Sequence, residues 1–344
     1  MKYGNFGTSL RYLLLGLWMV LLALGIRLLG TTASGALLLD MDVGQAYRLA
    51  RECLCPRTVT AETASSVVAR PEKPPKVAEE PVAPAPPEPE PILLTFSGQE
   101  ADAIAIGGSA QSTVDKASLL LTPLKMEADS EPLVLIVHTH TSEAYTPEPG
   151  WEYEQTEAFR TADANYNVIR VGEELAQELQ RQGIGVIHDT TVNDAPQYNG
   201  AYERSFDCIQ AQLAAHPSIQ IILDIHRDAA EDSEGNAVSR LTQIDGEACA
   251  QLMLVVGTDE GGLYHPNWKE NLSFALKLQA LLNRDTPTLC RDLSLRKERF
   301  NQHFTPCSLL VEVGAAGNTL AQTLPSARYL GRALAQLIGA ASES

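Results

Sequence analysis

The residues best suited to chemistry sit where an apolar run stops. Residues 133 to 143 read Leu-Val-Leu-Ile-Val-His-Thr-His-Thr-Ser-Glu, so a branched aliphatic stretch delivers His138, His140 and Glu143 in quick succession. A run of that kind suits a strand covered on both faces, and such strands present their chemistry just past the carboxyl end. If the strand continued through the histidines, their spacing of two would aim both at one face, with Glu143 reaching in from the loop. Read alone, the stretch is equally an ordinary polar loop or the start of a metal site.

Two further stretches bear on that choice. His226 closes the strand-like residues 219 to 225 within Asp224-Ile225-His226-Arg227-Asp228, and Glu312 is embedded in Leu309-Leu310-Val311-Glu312-Val313-Gly314. A carboxylate inside an apolar strand is costly to bury, so Glu312 and Asp224 each need a cation, a metal or a catalytic task. His226 by itself reads as a hydrogen-bonded strand-end histidine. Convergence of three segments on one sheet edge favours a hydrolytic centre instead. Two imidazoles and one carboxylate are a common zinc ligand set that leaves a position for water. Glu312 is then placed to take a proton from that water and pass it to a leaving amine.

The elements that must position these groups alternate from residue 131 onward. Strand-like runs at 133 to 137, 184 to 187, 219 to 225, 252 to 256 and 308 to 313 are separated by helical periodicity. The helical stretches fall at 167 to 182, 205 to 215, 268 to 283 and 325 to 338, the last with proline at its start. This order predicts an α/β layered fold, a largely parallel sheet flanked by helices, with crossovers that bring the strand ends to one edge. His188, His216, His265 and His303 read as structural or surface residues, although His303 beside Asn301-Gln302 is a candidate to approach the cleft. Residues 92 to 130 are ambiguous, with an edge strand over 92 to 96 and an apolar patch over 119 to 124.

Composition divides the chain. Its 344 residues carry a formal charge of −17 and a pI near 4.8, which argues against a nucleic-acid partner because no basic stripe is available to neutralise phosphates. Six cysteines are too few and too scattered for a disulfide framework. Residues 1 to 11 hold Lys2 and Arg11 and no acid, and residues 12 to 26 are apolar throughout. Residues 1 to 39 therefore read as a single-pass membrane anchor with a cytoplasmic amino terminus, or else as a signal peptide cleaved near 31 to 36. Between 71 and 91, nine of twenty-one residues are proline. Such a stretch favours extended polyproline II and spans on the order of 60 Å. Residues 40 to 130 are thus expected to form a largely disordered stalk and linker, and residues 131 to 344 an extracytoplasmic catalytic domain.

Several stretches together resemble the stage II sporulation protein P family: Val137-His138-Thr139-His140-Thr141-Ser142-Glu143-Ala144-Tyr145, Asp224-Ile225-His226-Arg227-Asp228-Ala229, and Leu310-Val311-Glu312-Val313-Gly314 with Asn301-Gln302 ahead of it. Asn167-Val168-Ile169-Arg170-Val171-Gly172, His188-Asp189 and Trp268 with Asn271-Leu272 extend the likeness over about residues 131 to 340. The resemblance implies an amidase-like fold and a zinc-dependent N-acetylmuramoyl-L-alanine amidase that acts on peptidoglycan during septal thinning and engulfment, with endopeptidase activity also attributed to the family. It implies partnership with stage II sporulation proteins D and M, and it leaves a catalytically silent wall-binding or scaffold protein as the alternative. Carried over, it makes His140, Glu143 and His226 the Zn2+ ligands and Glu312 the catalytic carboxylate. His138 stays open as an alternative ligand or as a donor that steadies one, and Asp163 as an alternative to Glu143. Arg227 is a candidate either to hold a substrate carboxylate or to pair with Asp228.

Overall fold

The computed structural model describes residues 94 to 124, 126 and 131 to 342, so the expected anchor, the stalk and the proline-rich stretch lie outside the described residues. Among the described residues no helix is long and apolar enough to cross a membrane.

In chain order the elements are α1 (Gly98–Ala103), β1 (Ile106–Gly108), α2 (Lys116–Leu121), β2 (Val134–Val137), α3 (Val168–Arg181), β3 (Val186–His188), α4 (Ala201–Ala215) and β4 (Ile221–Asp228). There follow β5 (Leu241–Ile244), β6 (Glu247–Ala250), β7 (Leu252–Gly257), α5 (Trp268–Asp285), β8 (Leu293–Arg296), a 3-10 turn (Gln302–Phe304), β9 (Cys307–Ala315) and α6 (Leu320–Ser342). One sheet runs in the order β1-β8-β7-β9-β4-β2-β3, and every pairing in it is parallel except β7 with β9. The largely parallel α/β sheet expected from the alternation is therefore present. That one antiparallel pairing divides the strand ends. β2, β3, β4 and β9 finish on one edge and β7, β8 and β1 on the other, so the common edge holds for the strands that carry the candidate residues.

Strand parity sorts the side chains between the two faces. Val134 and Ile136 of β2, with Ile221, Leu223 and Ile225 of β4 and Leu309, Val311 and Val313 of β9, join one core with Val171 and Leu175 of α3 and Leu330 and Leu334 of α6. Leu135, Val137 and Ile222 point the other way, onto Ile209 of α4. Asp224, His226 and Glu312 share the parity of Ile222, which places them on the α4 face.

Several boundaries differ from expectation. The boundary at residue 131 falls inside the folded region, because β1 pairs in parallel with β8 and Leu120 of α2 is fully buried. Ser273 Oγ and Lys277 Nζ of α5 donate to the Leu119 carbonyl at 2.7 and 3.1 Å, which fastens the end of α2. An Ile-Gly-Gly strand has almost no side chain to pattern, so this segment is silent in sequence. Helix α6 begins at Leu320, five residues before the expected start, and takes Pro325 inside as its sixth residue, where the proline gives up the donor that would reach the Ala321 carbonyl. The β5–β6 hairpin was not anticipated, although its turn, Asp245-Gly246 with φ of 52° and 82°, carries the usual chemistry of a two-residue connection.

Candidate active site

The site grows from the end of β2. The strand stops at Val137, and the next four residues form turns rather than further ladder. His138 shares the parity of Val134 and Ile136 and so lies on the α3 face. Its Nδ1 is 3.1 Å from the Ile225 carbonyl and its Nε2 is 2.8 Å from Nε2 of His188, whose Nδ1 faces Glu173 Oε2 at 3.3 Å. A carbonyl only accepts, so His138 Nδ1 carries the proton and His188 Nε2 donates to His138 Nε2. Both nitrogens of His138 are thus engaged and the ring is fully buried, on the face away from His140. The expectation that His138 and His140 share a face fails because the strand does not run through them.

His140 emerges on the opposite side. Its ring packs edge-on against His226 at 5.3 Å between centroids and edge-on against Tyr202 at 5.6 Å, and it stacks on Tyr198 at 4.2 Å. Its Nδ1 is buried without a hydrogen-bond partner. Burial, with help from the charges of His226 and Arg160 and against that of Glu143, lowers its pKa to about 4, so the ring is neutral in ordinary conditions. Neutral imidazole is the form that ligates.

His226 lies between two carboxylates. Nδ1 is 3.3 Å from Glu143 Oε2, and Nε2 is 3.0 Å from Asp224 Oδ1 but off the line of a hydrogen bond. Burial opposes a charge on this ring, yet Asp224 and Glu143 outweigh it and raise the pKa well above the usual histidine value. Desolvation likewise pushes Glu143 up, and the His226 contact with the charges of His226 and Arg227 brings it below the ordinary range. Asp224 has the partners its burial requires: the Thr139 amide at 2.8 Å and the Thr139 hydroxyl at 2.6 Å.

Glu312 stands opposite His226 in the β4–β9 register. Its Oε2 is buried without a partner, and desolvation, reinforced by Glu143 and Asp228 against the pull of His226, raises its pKa to about 8. The structure thus brings His140, Glu143, His226 and Glu312 to one place from β2, the following loop, β4 and β9. Gly314, just beyond Glu312, has φ of 71° and would bring a Cβ within 2.8 Å of the Ala250 methyl, which accounts for glycine there.

Other candidates are placed elsewhere. Asp163 is exposed, and its Oδ1 accepts from the amide and the side chain of Asn165 at 3.0 and 2.8 Å, so it is not the carboxylate of the site. Arg227 is 7% exposed and donates from Nε to the Ala144 carbonyl and from Nη2 to the Phe159 carbonyl. Its guanidinium ties loops together. It does not pair with Asp228, which is held at 2.7 Å by Arg291. His303 stacks with Phe206 and Phe304, while Asn301 donates to the Tyr202 carbonyl and Gln302 bridges to Gly257 and Val255, so this motif secures α4 and β7. Sequence reasoning missed Tyr198, Tyr202, Arg160 and Asp194. The tyrosines are four apart across the start of α4, a visible spacing, whereas Arg160 and Asp194 lie in irregular loops with no periodicity to mark them.

Among the described residues no three or more His, Cys, Asp or Glu side chains form a ready-made metal-holding group. The donor chemistry nonetheless fits a borderline cation: His140 Nδ1 lacks any partner, His226 and Glu143 are in contact, and a strongly favoured positive charge sits between two carboxylates.

The comparisons agree with the motif-level likeness. Stage II sporulation protein P of Bacillus subtilis (strain 168) is 29% identical over 209 residues, 58% of this chain and 49% of its own length, so the chain matches about half of that relative. Among solved structures, the N-acetylmuramyl-L-alanine amidase Ami1 from Mycobacterium smegmatis gives a TM-score of 0.38 at 14% identity, covering 64% of this chain and 99% of that one. The CwlD amidase from Clostridioides difficile, in complex with the GerS lipoprotein, gives 0.34 at 14% identity over 60% and 95%. The model of the stage II sporulation protein P (SpoIIP) family matches residues 69–335, a span that holds β2, β4 and β9 together with every residue of the cluster at their ends, and the chain belongs to that family.

Proposed function

We propose that the chain is a zinc-dependent N-acetylmuramoyl-L-alanine amidase that cuts peptidoglycan during sporulation, held at the membrane by its amino-terminal segment and working with stage II sporulation proteins D and M. The observation that carries this reading is Glu312, a half-buried carboxylate whose Oε2 is buried without a partner, across from a His–Glu–His set. No packing role requires it there, and its cost is recovered only through a proton-transfer task or a cation.

His140, Glu143 and His226 would hold the ion, which when bound polarises the amide carbonyl and acidifies the attacking water. Asp224 backs His226 from the Nε2 side and fixes the ring, while the Thr139 amide and hydroxyl hold Asp224 in turn. Glu312 supports general acid-base work, because its buried Oε2 has no partner and stands opposite His226, free to take a proton and return it to the leaving amine. Tyr198 and Tyr202 wall off His140, keeping that ring neutral and oriented.

The test is product analysis on purified peptidoglycan. The chain should release stem peptides with new L-alanine amino termini, chelation should stop release, and zinc should restore it. Wall binding with no new termini after zinc loading would replace this reading with that of a scaffold, and cuts within the stem peptide would replace it with that of an endopeptidase.

A further inference from the structure

Beside His140 lies a cleft of about 320 Å³ whose walls include Ser142, Arg160, Asp194, Val192 and Tyr198. Tyr198, stacked on His140, forms the boundary between cleft and centre, so anything lying in the cleft extends directly from the reacting position. Tyr198 and Val192 are 52% and 54% exposed, and with Ile169 and Pro196 they give the trough an apolar wall beside its polar floor.

The polar floor is built rather than incidental. Arg160 Nη1 donates to Ser142 Oγ at 3.0 Å and to Asp194 Oδ2 at 3.1 Å, and its guanidinium lies over the Tyr198 ring at 4.7 Å. These contacts fix the plane of the group while leaving its side-on fork, Nε and Nη2, short of a hydrogen bond. Glu157 Oε2 stands 3.9 Å from Nε and Glu143 Oε1 3.8 Å from Nη2. The Glu157 side chain is 77% exposed and free to swing out, and Glu143 is committed to His226. A fixed guanidinium with an open fork matches the two oxygens of a carboxylate. Asp194 supplies the complementary group: its side chain is 2% exposed, its Oδ2 is saturated by Ser142 and Arg160, and its Oδ1 has no partner. An unpaired buried carboxylate oxygen calls for an N–H donor.

We propose that this cleft is the subsite for the peptide side of the scissile amide, with Arg160 anchoring a peptide carboxylate and Asp194 Oδ1 accepting a peptide N–H. The ligand class is an acidic peptide, and the inference rests on the amidase reading for its direction relative to the centre. In the uncut substrate the lactyl carboxyl of the glycan is tied up in the scissile amide, so the free carboxylates lie on the peptide and the cleft selects the peptide.

The experiment titrates the full-length chain with two synthetic stem peptides, one bearing free carboxylates and one with every carboxylate amidated. Neither holds the scissile bond, so binding is read without turnover. The free-carboxylate peptide should bind about 10- to 100-fold more tightly, and Arg160→Gln should bring that ratio close to one, with Arg160→Lys between. Equal binding of the two peptides by the wild-type chain, or an unchanged ratio in Arg160→Gln, overturns the proposal. The wild-type comparison stands even if a variant fails to fold. An Arg160-dependent preference in a chain that releases no L-alanine termini would sink the amidase reading and leave the subsite intact. Release of termini without any carboxylate preference would do the reverse.

Discussion

His138 and His140 are two positions apart in the chain and on opposite faces of the sheet, both held neutral by burial but in opposite hydrogen-bonding conditions. Around His138 both ring nitrogens are spent, Nδ1 on the Ile225 carbonyl and Nε2 on His188. Around His140 the inventory does not close, with His140 Nδ1 and Glu312 Oε2 buried and unpaired. Identical side chains in one motif thus do different work, and the difference lies in the bookkeeping of hydrogen bonds. A satisfied buried histidine maintains structure, and an unsatisfied cluster marks a place where something else binds.

The largest effects should separate the two faces by kind. Glu312→Gln should lower amide cleavage by about 10²- to 10⁴-fold through loss of the proton carrier, with zinc content unchanged. His140→Ala should lose zinc and activity while the denaturation midpoint of the metal-free chain barely moves. His138→Ala should retain zinc but lose about 2 to 4 kcal/mol of stability, because it opens a cavity and leaves the Ile225 carbonyl and His188 unpaired. Zinc stoichiometry beside chemical denaturation reads both. If His138→Ala also released the ion, the division between the faces would collapse.

How much of this was legible beforehand depends on the residue. The alternation of strand and helix, and the convergence of His140, His226 and Glu312, follow from apolar runs that stop at polar residues, because parallel strands deliver their ends to one edge. The fate of His138 was not legible, since it turns on the strand ending at Val137, and a one-residue difference in a strand end reverses the face. Arg227 misled for a related reason. A guanidinium beside a site reads as a substrate anchor, and only tertiary structure shows its donors spent on the Ala144 and Phe159 carbonyls. Arg160, the arginine with an open fork, sits in a loop that no periodicity flags.

Titration of stability should separate His138 from Glu312 by sign. Burial holds His138 to about 3, so between that value and the ordinary histidine pKa near 6.5 the unfolded chain takes up a proton the folded one refuses. Stability conferred by this face is complete above about pH 6.5 and is lost as pH falls, by about 2 kcal/mol at pH 5. Glu312, raised to about 8, behaves inversely. The folded metal-free chain holds a proton that the unfolded chain has released above pH 4.5, so stability is complete in acid and is lost as pH rises toward 8. His138→Gln should flatten the acid limb and Glu312→Gln the alkaline limb, read by urea denaturation across pH. Both limbs responding to one substitution would mean that the two networks are coupled.

A smaller effect tests how tightly the closed face is packed. A Cβ on Gly172 would lie 2.7 Å from His138 Cε1 and Nε2 and from His188 Nε2. Gly172→Ala must push one ring aside or shift α3, although alanine itself favours the helix, so the net cost should be about 1 to 3 kcal/mol with zinc retained. A stabilised variant would show that the His138–His188 contact has slack the structure does not suggest.

The smallest expected effect sharpens the choice of carboxylate. Asp163 and Glu143 are both near the motif in sequence, but Asp163 Oδ1 is occupied by Asn165 in an exposed turn, whereas Glu143 is 5% exposed and touches His226. Asp163→Ala removes only a local turn contact at the surface and should cost no more than about 0.5 kcal/mol, with zinc affinity unaltered. Glu143→Ala should instead abolish stoichiometric zinc, and it leaves His226 facing Asp224 alone, which lowers the alkaline pH at which the metal-free chain unfolds. Zinc loss in Asp163→Ala, measured by competition with a chromophoric chelator, would move the third donor to the turn before α3 and require that loop to refold over His226 when the ion binds.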